Sequence, residues 1–257
     1  MKIENYGAGH RCAAVLGLLL SFCEQRSVQG IDRIIILPIP TSRDGVHISG
    51  TDGLVSEVSG AVASTDAVCG YAIPLRDREM MLSRGARVYD AAEDEAFLME
   101  NARLTAEGVL GHILTSSKKS PREMKIGIVG YGRIGRLLSE MLLSLGAGVR
   151  VYTSKNATRV ALGECGVESE YMGENDGVIP NLRDLDIIVN TAPKSLVKTF
   201  AGGIPKGLAV IEVASGDNFA GVPGVVRLPS IPDRLYPESS AMLYFEGIKR
   251  YLFGGAV

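Results

Sequence analysis

The chain has 257 residues, 46% of them hydrophobic and 22% charged, which excludes a disordered or fibrous polypeptide and leaves room for one large or two modest globular domains. Its 27 basic and 29 acidic residues leave a net charge of −2, so no global field draws it to nucleic acid or to an anionic membrane. Four widely spaced cysteines (Cys12, Cys23, Cys69 and Cys165) and three scattered histidines (His10, His47 and His112) offer no metal-ligand spacing, and dispersed cysteines of this kind point to a reduced, cytoplasmic protein with no bound metal.

In chain order, the first feature is the apolar run of residues 13–22, preceded by His10-Arg11. Ten residues fall short of the roughly 20 that a membrane helix needs, and Phe22 before Cys23 spoils a lipoprotein-type cleavage site, so the run reads as a buried helix. Residues 33–38 read as a buried strand followed by a polar loop, Thr41 to Gly45; residues 67–71 and 86–90 read as two more short strands. Residues 93–114 have helical character and connect to the polar turn Lys118-Lys119-Ser120-Pro121-Arg122. From there the pattern becomes regular. A strand at 125–130 leads into a one-sided helix with apolar residues at Ile134, Leu137, Leu138, Met141, Leu142 and Leu145, closed by Gly146. Further strands are expected at 148–153, 186–191, 208–213 and 225–228. The segment 239–253 again has helical spacing, with Pro237 and Glu238 suited to its first turn.

The turn between the strand at 125 and its helix is Gly130-Tyr131-Gly132-Arg133-Ile134-Gly135, a GxGxxG sequence in the context that gives it meaning. The first glycine permits the tight turn, the second lets a pyrophosphate approach the backbone, and the third lets helix and strand pack closely, while the helix N-terminus offers N–H groups to the phosphates. The expected fold is therefore α/β. A doubly wound, parallel-sheet Rossmann domain spans 102–236. A smaller, truncated flavodoxin- or Rossmann-like α/β domain spans 1–101 on the substrate side and is completed by the C-terminal helix of 237–257. The next strand ends at Thr153-Ser154-Lys155, where an NAD-binding domain usually places a carboxylate for the ribose 2′-hydroxyl. A hydroxyl and an ammonium favour a 2′-phosphate instead, hence NADP, with NAD as the alternative. Thr191, Ala192 and Pro193 follow a later strand at the carboxyl edge, where they would line the nicotinamide side of the cleft.

From the glycine loop through Asn190-Thr191-Ala192-Pro193, the chain resembles the cofactor domain of D-2-hydroxyacid dehydrogenases. The wider pattern more closely resembles the A subunits of dipicolinate synthases. Ile35-Ile36-Leu37-Pro38 with its polar loop, Leu104-Thr105-Ala106-Glu107-Gly108, Ile211-Glu212-Val213-Ala214-Ser215, and Leu228-Pro229-Ser230-Ile231-Pro232 running on to Pro237-Glu238-Ser239-Ser240-Ala241 carry this resemblance over roughly residues 31–250. Two departures stand out. Residues 1–10 read as too short for the family's opening strand and glycine turn, and Gly216 stands where the family has arginine after its Ala-Ser. With no histidine beyond His112, the usual acid–base partner of a hydroxyacid dehydrogenase is missing, which makes a reductase of another small acid an alternative rather than the leading reading.

The resemblance implies oxidation of a dihydrodipicolinate-type ring to dipicolinate by hydride transfer to the nicotinamide. It also implies self-association, and a partner in the form of a second, flavoprotein-like subunit. Holding a planar dicarboxylate calls for arginines and hydroxyls. The candidates are Ser42, Arg43, Ser215, Arg234 and Ser239, with Glu107 and Ser215 as candidates for proton handling. The rival of a different class is a dinucleotide-binding sensor without turnover.

Overall fold

The computed structural model describes residues 1–7, 9–24, 26, 29–173 and 178–254. In chain order the elements are β1 (Lys2–Asn5), α1 (His10–Cys23), β2 (Arg33–Ile36), α2 (Val55–Ala61), β3 (Asp66–Gly70), α3 (Leu75–Ser83), β4 (Arg87–Asp90) and α4 (Glu95–Ser116). There follow β5 (Lys125–Val129), α5 (Arg133–Ser144), β6 (Gly148–Thr153), α6 (Asn156–Glu164), β7 (Glu168–Tyr171), β8 (Ile187–Asn190), β9 (Ala209–Glu212), β10 (Val226–Arg227), α7 (Ile231–Leu235) and α8 (Pro237–Phe253). Two compact units divide the chain: Met1–Asn101 with Pro232–Val257, and Ala102–Ile231.

The first unit is built on a wholly parallel sheet in the order β1-β2-β3-β4. The period-two alternation of a strand sends Ile34 and Ile36 to one face and Ile35 and Leu37 to the other. On the first face they pack with Val15 and Leu19 of α1, Phe97 of α4, and Tyr244, Phe245 and Ile248 of α8. Full burial of each such side chain stabilises the unit by about 1.5–3 kcal/mol. On the second face, Val55 and Val58 of α2 and Met81 of α3 close over Ile35 and Val68. The apolar run of residues 13–22 lies inside α1 but is buried on one side only: Val15 and Leu19 face the core, whereas Ala13, Ala14, Gly17 and Leu20 are exposed.

Two expectations are corrected here. Residues 1–10 do supply an opening strand and a glycine turn: β1 pairs in parallel with β2 over four residues, and Gly9 caps α1. Four residues suffice because β1 is an edge strand that needs a partner on one side only. Residues 232–236, expected in the Rossmann domain, belong instead to the first unit, because Asp233 in α7 is ion-paired to Arg11 of α1. Of the expected C-terminal helix, residues 255–257 lie outside the described residues.

The second unit carries six parallel strands in the order β10-β9-β8-β5-β6-β7. The chain runs outward from β5 in one direction through β6 and β7, then in the other through β8, β9 and β10. The strand order therefore reverses between β5 and β8, the place where ligands of open α/β sheets bind. Strand β7 was not expected; its Glu-Ser-Glu-Tyr sequence has no apolar alternation, and it is an edge strand tied down by Arg150 Nε to Glu168 Oε1 at 2.6 Å. Among the described residues, the links from β8 to β9 and from β9 to β10 are turns rather than α-helices.

Candidate functional site

The glycine loop leaves β5 at the switch point and enters α5. Gly130 has φ +92°, a conformation that favours glycine, and a Cβ there would stand 2.9 Å from Ala192 Cβ and 3.1 Å from Thr191 Oγ1. At Gly135 the crowding is greater, with a Cβ 2.3 Å from Gly130 O. These two glycines let the loop close against Thr191 and Ala192, whose own loop is bolted down by Thr191 Oγ1 donating to Val129 O at 2.9 Å. Gly132 is different. It is the N-cap of α5, and an added Cβ would meet nothing within 4 Å, so the loop surface is open at that point.

No side chain caps α5, and its first helical hydrogen bond is donated by Arg136 N to Gly132 O at 2.9 Å. The preceding N–H groups, of Arg133, Ile134 and Gly135, have no acceptor within the helix, and they carry the positive end of its dipole. That arrangement fits a pyrophosphate. Tyr131 is half-buried, and burial pushes its phenol above the usual range. At the end of β6, Thr153 is buried with Oγ1 accepting from Lys155 N at 3.1 Å, whereas Ser154 and Lys155 are exposed at the carboxyl edge and Lys155 is the N-cap of α6. No carboxylate stands among these three positions.

A buried polar cluster lies at the same edge. Asn190, fully buried at the end of β8, donates from Nδ2 to both carboxylate oxygens of Glu212, at 3.2 and 3.4 Å, and accepts from Ala192 N at 3.2 Å. Burial raises the Glu212 carboxyl above its ordinary range, and hydrogen bonds from Asn190 and Asn218 partly offset this. Asn218 also donates to Ser215 O at 3.0 Å, shaping the loop in which Gly216 has φ +95° and Ser215 is exposed. Pro193 is exposed beside Ala192, and Glu107 is half-buried on α4. The sequence places Asn190 at the head of the stretch expected to line the nicotinamide side, but gives no role to Glu212 or Asn218, although an Asn and a Glu ending neighbouring strands are a readable signal.

The first unit holds a cavity of about 670 Å³ lined by Gly9, His10, Arg11 and Cys12 at the start of α1, by Arg43 in the loop after β2, and by Asp233, Arg234 and Pro237. Its size falls within the roughly 300–1,000 Å³ of small-molecule sites. Two expected substrate residues, Arg43 and Arg234, therefore meet in one cavity. Neither is neutralised by its chain neighbour. Asp44 is held by His47 Nδ1 at 2.7 Å and by the Val46 and His47 N–H groups, contacts that hold its carboxyl well below the usual range, and Asp233 is paired with Arg11.

Ser42 instead donates to Asp44 Oδ1 at 3.1 Å and is absent from the cavity wall. Ser239 is exposed and also absent from it; the neighbouring Ser240 is the buried hydroxyl, accepting from Arg11 Nε at 3.3 Å. Cys12 is no nucleophile here, since burial pushes its thiol up to about 11. The wall residues His10, Arg11, Cys12 and Asp233 were not anticipated. His10-Arg11 at the head of an apolar run was the only trace of them in the sequence.

Among the described residues, no group of three His, Cys, Asp or Glu side chains is placed to hold a metal ion. No helix there is long and apolar enough to cross a membrane.

Comparison of the sequence with protein families and with curated proteins yields no match. Solved structures do match. The A subunit of dipicolinate synthase from Bacillus halodurans is similar with a TM-score of 0.76 and 18% identity, covering 98% of this chain and 97% of that one. Its counterpart in the dipicolinate synthase of Bacillus subtilis gives 0.73 and 16%, covering 97% and 95%. The apo-structure of D-lactate dehydrogenase from Escherichia coli gives 0.56 and 13%, covering 97% and 95%. The chain thus has, over nearly its whole length, the fold seen in dipicolinate synthase A subunits and, at greater distance, in a D-lactate dehydrogenase.

Proposed function

We propose that the chain is an NADP-dependent oxidoreductase that oxidises a dihydrodipicolinate-type cyclic dicarboxylate to dipicolinate. The observation that carries the reading is the glycine loop, with an uncapped α5 above an open Gly132 at the switch point of the sheet. Ser154 and Lys155, exposed with no carboxylate beside them, favour the 2′-phosphate of NADP. A bound nicotinamide supplies the hydride acceptor for this chemistry. Loss of one hydride and one proton makes the ring aromatic, so the chain's own task is to hold a planar dicarboxylate and let one proton leave. Arg43 and Arg234 supply the guanidiniums for the first part. Ser215 is the hydroxyl for orientation, Ser42 and Ser239 lying outside the cavity of these arginines, and Glu107 is the candidate acceptor for the proton. The working form in this reading is a cytoplasmic homo-oligomer acting with a second, flavoprotein-like subunit.

The test is parallel titration with NADP and NAD, followed by turnover of a dihydrodipicolinate-type substrate read as NADPH absorbance. NADP is expected to bind more tightly, and Lys155→Ala to weaken NADP about tenfold while leaving NAD unchanged. Equal affinities in the parent chain would remove the 2′-phosphate argument. Tight cofactor binding with no turnover, whether or not the second subunit is present, would replace the enzyme with a dinucleotide sensor.

A further inference from the structure

We infer that the cavity of the first unit is a subsite for a small dicarboxylate anion, and that its buried anchor is Arg11. The inference deepens the proposed dicarboxylate chemistry and rests on it for the identity of the ligand. Three observations made within the one unit carry it.

First, Arg11 is 5% exposed and forms part of the cavity wall, yet only one side of its guanidinium is used. Nε is ion-paired with Asp233 Oδ1 and donates to Ser240 Oγ at 3.3 Å, whereas Nη1 is buried with no hydrogen-bond partner among the described residues. A guanidinium has five N–H donors and cannot discharge itself by losing a proton. A charged donor buried without an acceptor is a rare and costly arrangement in a native protein, and its charge attracts an anion to the wall that Arg11 helps to form.

Second, the cavity wall includes the start of α1. Gly9, the N-cap, supplies no side-chain cap, no acidic residue occupies the first turn, and the first helical hydrogen bond is from Ala13 N to Gly9 O at 3.2 Å. The N-terminus of a helix of 14 residues thus faces the same space with its donors uncommitted to the helix.

Third, the charges match a dianion. Arg11, Arg43 and Arg234 line the cavity with Asp233 as the sole carboxylate among the lining residues, a net of +2 from these four groups. Arg43 and Arg234 are exposed and can adjust to a ligand, whereas Arg11 is fixed. A monocarboxylate would satisfy the fixed end alone. A planar dicarboxylate reaches both the buried anchor and a mobile arginine, which gives the site a preference for two carboxylates over one.

The experiment is calorimetric titration of the full chain, without cofactor, with pyridine-2,6-dicarboxylate and with pyridine-2-carboxylate. The parent chain should bind the dicarboxylate about tenfold or more tightly than the monocarboxylate. Arg11→Gln should lose that affinity. Because it also leaves Asp233 without its cation, Arg11→Lys serves as the folded control: one ammonium remains beside Asp233, and the nitrogen corresponding to Nη1 is gone. Arg11→Lys should melt within a few degrees of the parent and bind NADP unchanged, yet lose about tenfold in dicarboxylate affinity. Arg43→Gln, at an exposed position, should lose several-fold and narrow the preference for two carboxylates. Dicarboxylate affinity in Arg11→Lys equal to the parent's, or no binding of either acid by the parent chain, overturns the inference. Carboxylate binding that behaves as described in a chain without turnover would sink the oxidoreductase reading alone. Turnover of another substrate without Arg11-dependent carboxylate binding would sink this site alone.

Discussion

On the proposed reading, the two units would meet anions by different means. At the switch point of the six-stranded sheet the donors are backbone N–H groups at the head of α5, and side chains matter mainly by their absence at Gly130, Gly132 and Gly135. In the cavity of the four-stranded unit, guanidiniums from the start of α1, the loop after β2 and the segment around α7 are joined by the backbone N–H groups at the head of α1. A backbone site is a local object, because three glycines within six residues set its shape. A side-chain site has no local spacing at all, since Arg11 and Arg234 become neighbours only once the unit is folded.

The largest effect that would test this contrast comes from Gly135→Val. A Cβ there stands 2.3 Å from Gly130 O, so the loop must move; a loss of about 2–4 kcal/mol and of measurable NADP binding is expected, with dicarboxylate titration of the first unit retained. Thermal melting and cofactor fluorescence read the two parts. Unaltered cofactor affinity would mean that the loop's close packing is not what shapes the site.

A smaller effect is expected at Ser240, whose hydroxyl accepts from Arg11 and donates to Asp233 Oδ1 at 3.3 Å. Ser240→Ala should cost about 1–2 kcal/mol in denaturant unfolding and weaken dicarboxylate binding through Arg11. Ser239→Ala, at an exposed position, should stay within about 0.5 kcal/mol. Equal behaviour of the two serines would contradict the placement of Arg11.

The smallest effect is one of pH. The carboxyl of Glu212 titrates above its ordinary 4.5 in the folded chain, so between 4.5 and that raised value the folded state holds more protons than the unfolded one. Stability contributed by protonated Glu212 is therefore fully present below 4.5 and is lost as pH rises through the folded value. Asp66 acts with the opposite sign in a lower window, because its hydrogen bond to Arg33 lowers its carboxyl below the usual range. Unfolding free energies compared between the parent and Glu212→Gln should diverge as pH rises above 4.5. Parallel curves would show that the buried cluster at β8 and β9 does not titrate differently from the unfolded chain.

What could be read in the sequence follows the same division. The continuous apolar run of residues 34–37 and the one-sided helix after Gly130 announced both sheets, and the glycine loop stood out because its chemistry lies in its spacing. Strand β1 was missed because Lys-Ile-Glu-Asn has a single apolar residue, and β7 because its partners are charges rather than a core. The bond from Asn190 to Glu212 was missed for another reason. Each residue ends its own strand 22 positions apart, and only the register of β8 against β9 sets them side by side. Arg43 and Arg234 were picked for their charge, and Arg11 was not, because an arginine in front of an apolar run reads as a flank rather than as a buried ion.

The placement of α8 bears on how the chain is made. Tyr244, Phe245 and Ile248 fill the same core as Val15, Ile34 and Phe97, but they leave the ribosome only after all of residues 102–231. During synthesis the strands around Ile34 cannot have that apolar face covered by α8 until residues 102–231, continuous in sequence, have all been made. The unit begun first cannot close until its last segment is made, and the ion pair between Arg11 and Asp233 has to wait for that stage. A growing chain can thus acquire its glycine-loop site before its arginine cavity exists.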